Sequence, residues 1–160
     1  ELTVFTNPLP NSYQRFGCDE APRYVSWSRQ NRSQLVRIPM VKGDNCRMEL
    51  RSPDPACNPY LAIGLVLAAG LDGIEHRMVL PPPVNKNLFR PGEAEGLGLE
   101  MLPATLEEAV AIAEESDFLH KVLPEELSRR YFAEERARCE ALRAAADPAE
   151  YERIHYFNAI

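Results

Sequence analysis

A chain of 160 residues, 45% apolar and 26% charged, suits one domain with a real hydrophobic core. Its net charge of −6 and pI near 5.2 exclude a nucleic-acid binder driven by phosphate neutralisation, which needs a basic surface. Cys18, Cys46, Cys57 and Cys139 form no C-x-x-C pair, which argues against a disulfide framework or zinc site and for reduced thiols in the cytoplasm.

Fourteen prolines exceed the roughly 5% background, so many connections should be stiff. The first third reads as short strands and loops. Leu2 to Thr6 (LTVFT) predicts an apolar strand ended by Asn7-Pro8, and Asn11 to Pro22 has turn residues and no period. Arg23 to Arg29 alternates, with Val25 and Trp27 on one side. Leu35 to Val41 and Cys46 to Arg51 predict a hairpin across Lys42-Gly43-Asp44-Asn45, with Pro39 at an edge or a bulge.

The remainder reads as helical. Asp54-Pro55 predicts the cap of an apolar helix running to Leu71. That run is shorter than the roughly 20 residues that span a bilayer, so a buried helix is expected and a membrane partner is not. Pro81-Pro82-Pro83 marks an extended connector, and Gly92 to Gly98 a loop. Thr105-Leu106-Glu107-Glu108 is a capping-box sequence. Pro124 predicts the start of a longer helix, with Leu127, Tyr131, Arg138 and Leu142 near one stripe, and Asp147-Pro148 with Glu150 predicts a final one. The expected class is α+β: a few-stranded antiparallel sheet packed by a buried helix and C-terminal helices. Because the chain starts at Glu1 without a methionine, it is expected to be a piece of something longer.

Arginines crowd the strand region: Arg15, Arg23, Arg29, Arg32, Arg37, Arg47 and Arg51. Guanidinium forks suit carboxylate and phosphate oxygens. In CRMELRSPDP a strand would place Arg47, Glu49 and Arg51 on one face, and the Ser52-Pro53-Asp54-Pro55 knot would pin its end. Charges on a half-buried strand ordinarily face water. Two features weigh against that here: Arg37 interrupts an apolar strand, and a rigid strand end is a good place to hold a ligand. Asn58 and Asn87 read as turn or cap residues and Tyr13 and Trp27 as packing. His76, His120 and His155 lack metal-type spacing.

The ordered set NSYQR, EAP, NRSQLVRIP, RMELRSPDP and NPYLAIGLVLAAGLDGI, followed by LPATLEEA, resembles the C-terminal part of the catalytic domain of a type I glutamine synthetase. The resemblance covers nearly the whole chain and implies a single segment, 1–160, whose upstream part and N-terminal domain are absent. It implies ATP-dependent joining of ammonia to glutamate through γ-glutamyl phosphate. It also implies ATP and Mg²⁺ (or Mn²⁺) as cofactors, a double-ring homo-oligomer, and a cytoplasmic location. Residue by residue, it puts Arg15 on the glutamate carboxylate. Glu20 becomes the flap residue that closes the site and takes a proton from ammonium. Arg32 falls at the transferring phosphate, Arg37 on nucleotide phosphates, Glu49 on a phosphate-bridging metal ion, and Arg51 near the glutamyl phosphate. A lone carboxylate cannot hold two divalent ions, so the 160 residues by themselves are expected to be inactive.

Departures accompany the resemblance. The flap stretch Gln14 to Ala21 is one residue shorter than the usual family form, and the turn Lys42 to Asn45 differs from it. Phe89 follows Asn87-Leu88 where adenylylated members carry a tyrosine, so control through that hydroxyl should be absent. Two alternatives stand beside this reading. One is a ligase of the same superfamily acting on polyamines, whose members share the NPYLA and AAGL elements. The other is a non-catalytic binding module that docks through an exposed apolar stripe.

Overall fold

The computed structural model describes residues 1–18 and 20–157 and shows an α+β protein. Its residues divide into two compact units: Glu1–Gln14, Asp54–Arg77 and the chain from Pro103 on in the first, and Arg15–Pro53 with Met78–Leu102 in the second.

The first unit is helical. It contains α1 (Thr3–Thr6), a 3-10 turn beginning at Pro10, α2 (Pro59–Glu75), α3 (Leu106–Glu114), α4 (Asp117–Val122), α5 (Glu125–Ala144) and α6 (Pro148–His155). The stretch expected as a strand at Leu2 to Thr6 is instead the single turn α1, whose four residues are all buried. Its apolar run satisfies a buried helical turn as well as a strand, and the tertiary partners decide. Phe5 stacks on Tyr131 of α5 with ring centroids 4.5 Å apart, Phe132 lies 5.9 Å from it, and the Tyr131 hydroxyl donates to the Val4 carbonyl at 3.0 Å. Leu106, Ala109, Val110 and Ala113 of α3 complete this core against α1 and α5.

Capping chemistry sets the helix ends. Thr105 Oγ1 accepts from Glu108 N–H at 3.1 Å, and the Glu108 carboxylate accepts from Ala104 N–H at 2.7 Å, one residue earlier than the ideal reciprocal bond. Asp147 Oδ1 accepts from Glu150 N–H at 3.1 Å. Helix α2 is not capped by Asp54. Asn58 is the cap, accepting from Tyr60 and Leu61 N–H groups, and Pro59 occupies the first helical position. Asp54 forms its own turn through Ala56 N–H and accepts from Asn7. The expectation that α2 is buried fails. Ala62 and Leu65 are buried, but Tyr60, Ile63, Leu67, Leu71 and Ile74 form an exposed apolar stripe at helical spacing. On α5 the buried positions are Ser128, Phe132 and Glu135 rather than Leu127.

The second unit carries the sheet: β1 (Trp27–Ser28), β2 (Val36–Arg37) and β3 (Glu49–Leu50), in that order. β2 and β3 pair antiparallel, with Arg37 opposite Glu49 and a 3-10 turn at Gly43–Asn45 between them, as the hairpin pattern predicts. β1 and β2 pair parallel, Trp27 opposite Val36 and Ser28 opposite Arg37, so the sheet is mixed rather than purely antiparallel. A parallel pair ordinarily needs a long crossover. Here the strands are two residues each, and the short link is folded by its own side chains: Ser28 Oγ accepts from the N–H groups of Gln30 and Asn31. Buried positions in this unit include Ser26, Ser28, Ser33, Gln34 and Ser52 beside Phe16, Ala21 and Leu88. Its interior is held by hydrogen bonds as much as by apolar contact.

Candidate functional site

All six candidates, Arg15, Glu20, Arg32, Arg37, Glu49 and Arg51, lie in the sheet-bearing unit. The strand register builds the first group. Because Arg37 faces Glu49 across β2 and β3, its Nη1 donates to both carboxylate oxygens, at 3.1 and 2.9 Å. Its Nε donates to the Gln30 carbonyl at 3.1 Å. Arg47 closes on the same carboxylate, with Nε 3.2 Å and Nη2 3.0 Å from Oε1. These two guanidiniums, Arg37 first, hold the Glu49 carboxyl below the usual carboxylate range. Arg47 thus joins the candidate group through Glu49, although the resemblance assigns it no role. Its signal was present in the alternation of Arg47, Glu49 and Arg51.

The second group surrounds the turn at Glu20. Cys18 N–H bonds the Arg15 carbonyl, Ala21 N–H the Cys18 carbonyl, and Gly17 N–H the Ala21 carbonyl. Gly17 takes φ +87 and Glu20 φ 67, and for a non-glycine residue that left-handed conformation costs about 1–2 kcal/mol. Asp19, in the stretch read as the flap, lies outside the described residues. The Glu20 carboxylate faces Arg32 at 3.8 Å and Arg51 at 3.6 Å, and Arg51 Nη2 also donates to the Glu20 carbonyl at 3.0 Å. Glu20 and Arg32 are exposed, so these pairs are weak. Arg51 is different: its side chain is 15% exposed, and its buried Nε–H has no hydrogen-bond partner among the described residues. Such an orphaned donor on a guanidinium suits an anionic acceptor.

Arg15 donates to the carbonyls of Ser52 and Pro53 at 3.0 and 3.4 Å. It thereby pins the proline-rich knot that follows Arg51. The two groups are joined through backbone: Glu49 and Arg51 are two residues apart at β3, and the loop between β1 and β2 supplies both Arg32 and the Gln30 carbonyl that holds Arg37.

As a cation site, this set is insufficient. Glu49 offers one carboxylate, already held by two guanidiniums, and no group of three metal-type side chains occurs among the described residues. No helix among them is long and apolar enough to cross a membrane.

A family model described as glutamine synthetase, catalytic domain, matches residues 1–154. The chain is 44% identical over 156 residues to a glutamine synthetase of Methanosarcina mazei, covering 96% of this chain and 35% of that protein. It is 38% identical over 158 residues to one of Staphylococcus aureus, with 97% and 35% covered. It thus spans about a third of the length of these curated relatives. A solved structure of a GmaS/ADP complex in conformation 1 superposes with a TM-score of 0.79 at 32% identity, over 98% of this chain and 36% of that one. The chain belongs to the glutamine synthetase catalytic-domain family.

Proposed function

We propose that this chain forms part of an ATP-dependent glutamate–ammonia ligase and supplies the arginine-rich, anion-handling side of its site. The glutamate γ-carboxylate attacks the terminal phosphorus of ATP, giving γ-glutamyl phosphate and ADP. Ammonia then displaces phosphate, giving glutamine. Such transfers need positioned positive charge more than covalent participation. Arg32 and Arg51 stabilise the phosphoryl charge, and Arg15 binds the substrate carboxylate. Glu20 takes the proton that ammonium gives up, and Arg37 contacts nucleotide phosphates. The observation that carries this reading is the pair Arg32 and Arg51 closing on the Glu20 carboxylate, with a buried Arg51 donor left without an acceptor among the described residues. The ADP in the similar GmaS structure supports nucleotide use.

Glu49 is proposed as one ligand of a divalent ion whose other ligands come from elsewhere in a longer polypeptide. The 160 residues alone are then expected to release no phosphate from ATP. Amine-dependent phosphate release by the full-length protein tests the assignment. Activity with ammonium supports it, and activity restricted to a polyamine overturns it in favour of the polyamine ligase.

A further inference from the structure

Arg32 is exposed, and its one ion pair among the described residues is a 3.8 Å approach to an equally exposed carboxylate. Contacts of that kind contribute little to orientation, so Arg32 must be placed by its backbone. That backbone is unusually well held. Asn31 Nδ2 donates to the Lys86 carbonyl at 2.7 Å, and Asn31 Oδ1 accepts from Ser33 N–H at 2.9 Å. Gln34, fully buried, donates to the same Lys86 carbonyl at 2.9 Å and to Ser33 Oγ at 3.0 Å, while its Oε1 accepts from Ser26 Oγ at 2.5 Å. Ser33 Oγ in turn accepts from Leu88 N–H at 2.9 Å and donates to Asn31 Oδ1 at 2.8 Å. Every polar atom of the Gln34 side chain is engaged, and the residues on both sides of Arg32 are tied to the segment 86–88.

We propose that Gln34, acting with Asn31 and Ser33, is a positioning residue that sets Arg32 for phosphoryl transfer by clamping its loop onto the Lys86 carbonyl. This rests on the reading of Arg32 as a phosphate-contacting residue. Transition-state contacts tolerate little misplacement: a shift of about 1 Å can cost roughly 100-fold in rate. A saturated buried network gives the stiffness such a contact needs.

The test is a double-mutant cycle in the full-length protein, with kcat for ammonium-dependent phosphate release as the readout, beside hydrogen exchange of the Ser33 and Leu88 amides. Gln34→Leu is expected to speed exchange at both amides and to lower kcat at least 10-fold. In an Arg32→Ala background the same change is expected to lower kcat less than 2-fold, because a residue acting through Arg32 has nothing left to position. Asn31→Ala, at a half-buried site, gives the same pattern if Gln34→Leu does not fold. Equal fold-losses in both backgrounds, or faster exchange with unchanged kcat, overturn the proposal and leave the Arg32 reading intact. Full turnover in Arg32→Ala overturns both.

Discussion

Glu20 combines two roles that substitution can separate. Its carboxylate faces Arg32 and Arg51, and its backbone sits in the left-handed region. Glu20→Ala and Glu20→Gly both delete the carboxylate, but only glycine relaxes the backbone. Under the proposed role both lose turnover, while the glycine variant is expected to exceed the alanine variant in stability by about 1 kcal/mol, read from urea midpoints. Equal midpoints would mean that the turn carries no strain. Glu49 gives the complementary case. Glu49→Ala frees Arg37 and Arg47 and is expected to abolish metal-dependent turnover while leaving the circular dichroism spectrum unchanged; wild-type turnover would count against its role. At this scale much of the site was legible, because Arg37 and Glu49 come together by strand register and Arg32 and Arg51 by motif. Arg47 and Gln34 were less so. A buried glutamine hydrogen-bonding to a carbonyl more than fifty residues away leaves no periodic mark.

At the scale of elements, cap chemistry was a better guide than hydrophobic runs. Thr105, Pro124 and Asp147 each sit at a predicted helix start: Thr105 and Asp147 make a local cap bond that the sequence spells out, and Pro124, which makes none, starts the helix through its fixed φ. Helix α2 shows how two adjacent candidates compete: Asp54-Pro55 and Asn58-Pro59 carry the same signature, and Asp54 is drawn instead to Asn7 and Ala56. Asn58→Ala is therefore expected to lower stability by about 1 kcal/mol in chemical denaturation; no change would relocate the effective cap. The strand predicted at Leu2 to Thr6 and the expectation of a wholly antiparallel sheet failed for another reason. Three apolar residues in a stretch of five do not distinguish a buried turn from a strand, and the direction of strand pairing follows from the fold of the loop at Ser28 rather than from any pattern within the strand.

At the scale of the whole molecule, Glu135 gives stability a pH dependence. It is 3% exposed, and burial pushes its carboxyl up to about 7 against a partial offset from Arg138. The folded state thus holds a proton that the unfolded chain has lost between the ordinary carboxylate range and pH 7. Stability falls as pH rises through that window and levels off above it, by at most about 3 kcal/mol. Glu49, Glu107 and Glu150 are shifted downward, so their contributions are lost only at lower pH and do not mask it. Glu135→Gln is expected to flatten the fall between pH 5 and 8 in denaturant titrations; an undiminished slope would locate the titrating group elsewhere. Helix α2 sets a different limit. A row of five bare apolar side chains is far stickier than scattered surface leucines. With that row uncovered, the chain is expected to scatter light increasingly with concentration, and Leu67→Lys with Leu71→Lys to restore a monodisperse solution. What bounds the handling of this polypeptide is thus colloidal behaviour, governed by one flank of the helix that starts only eight residues after Arg51.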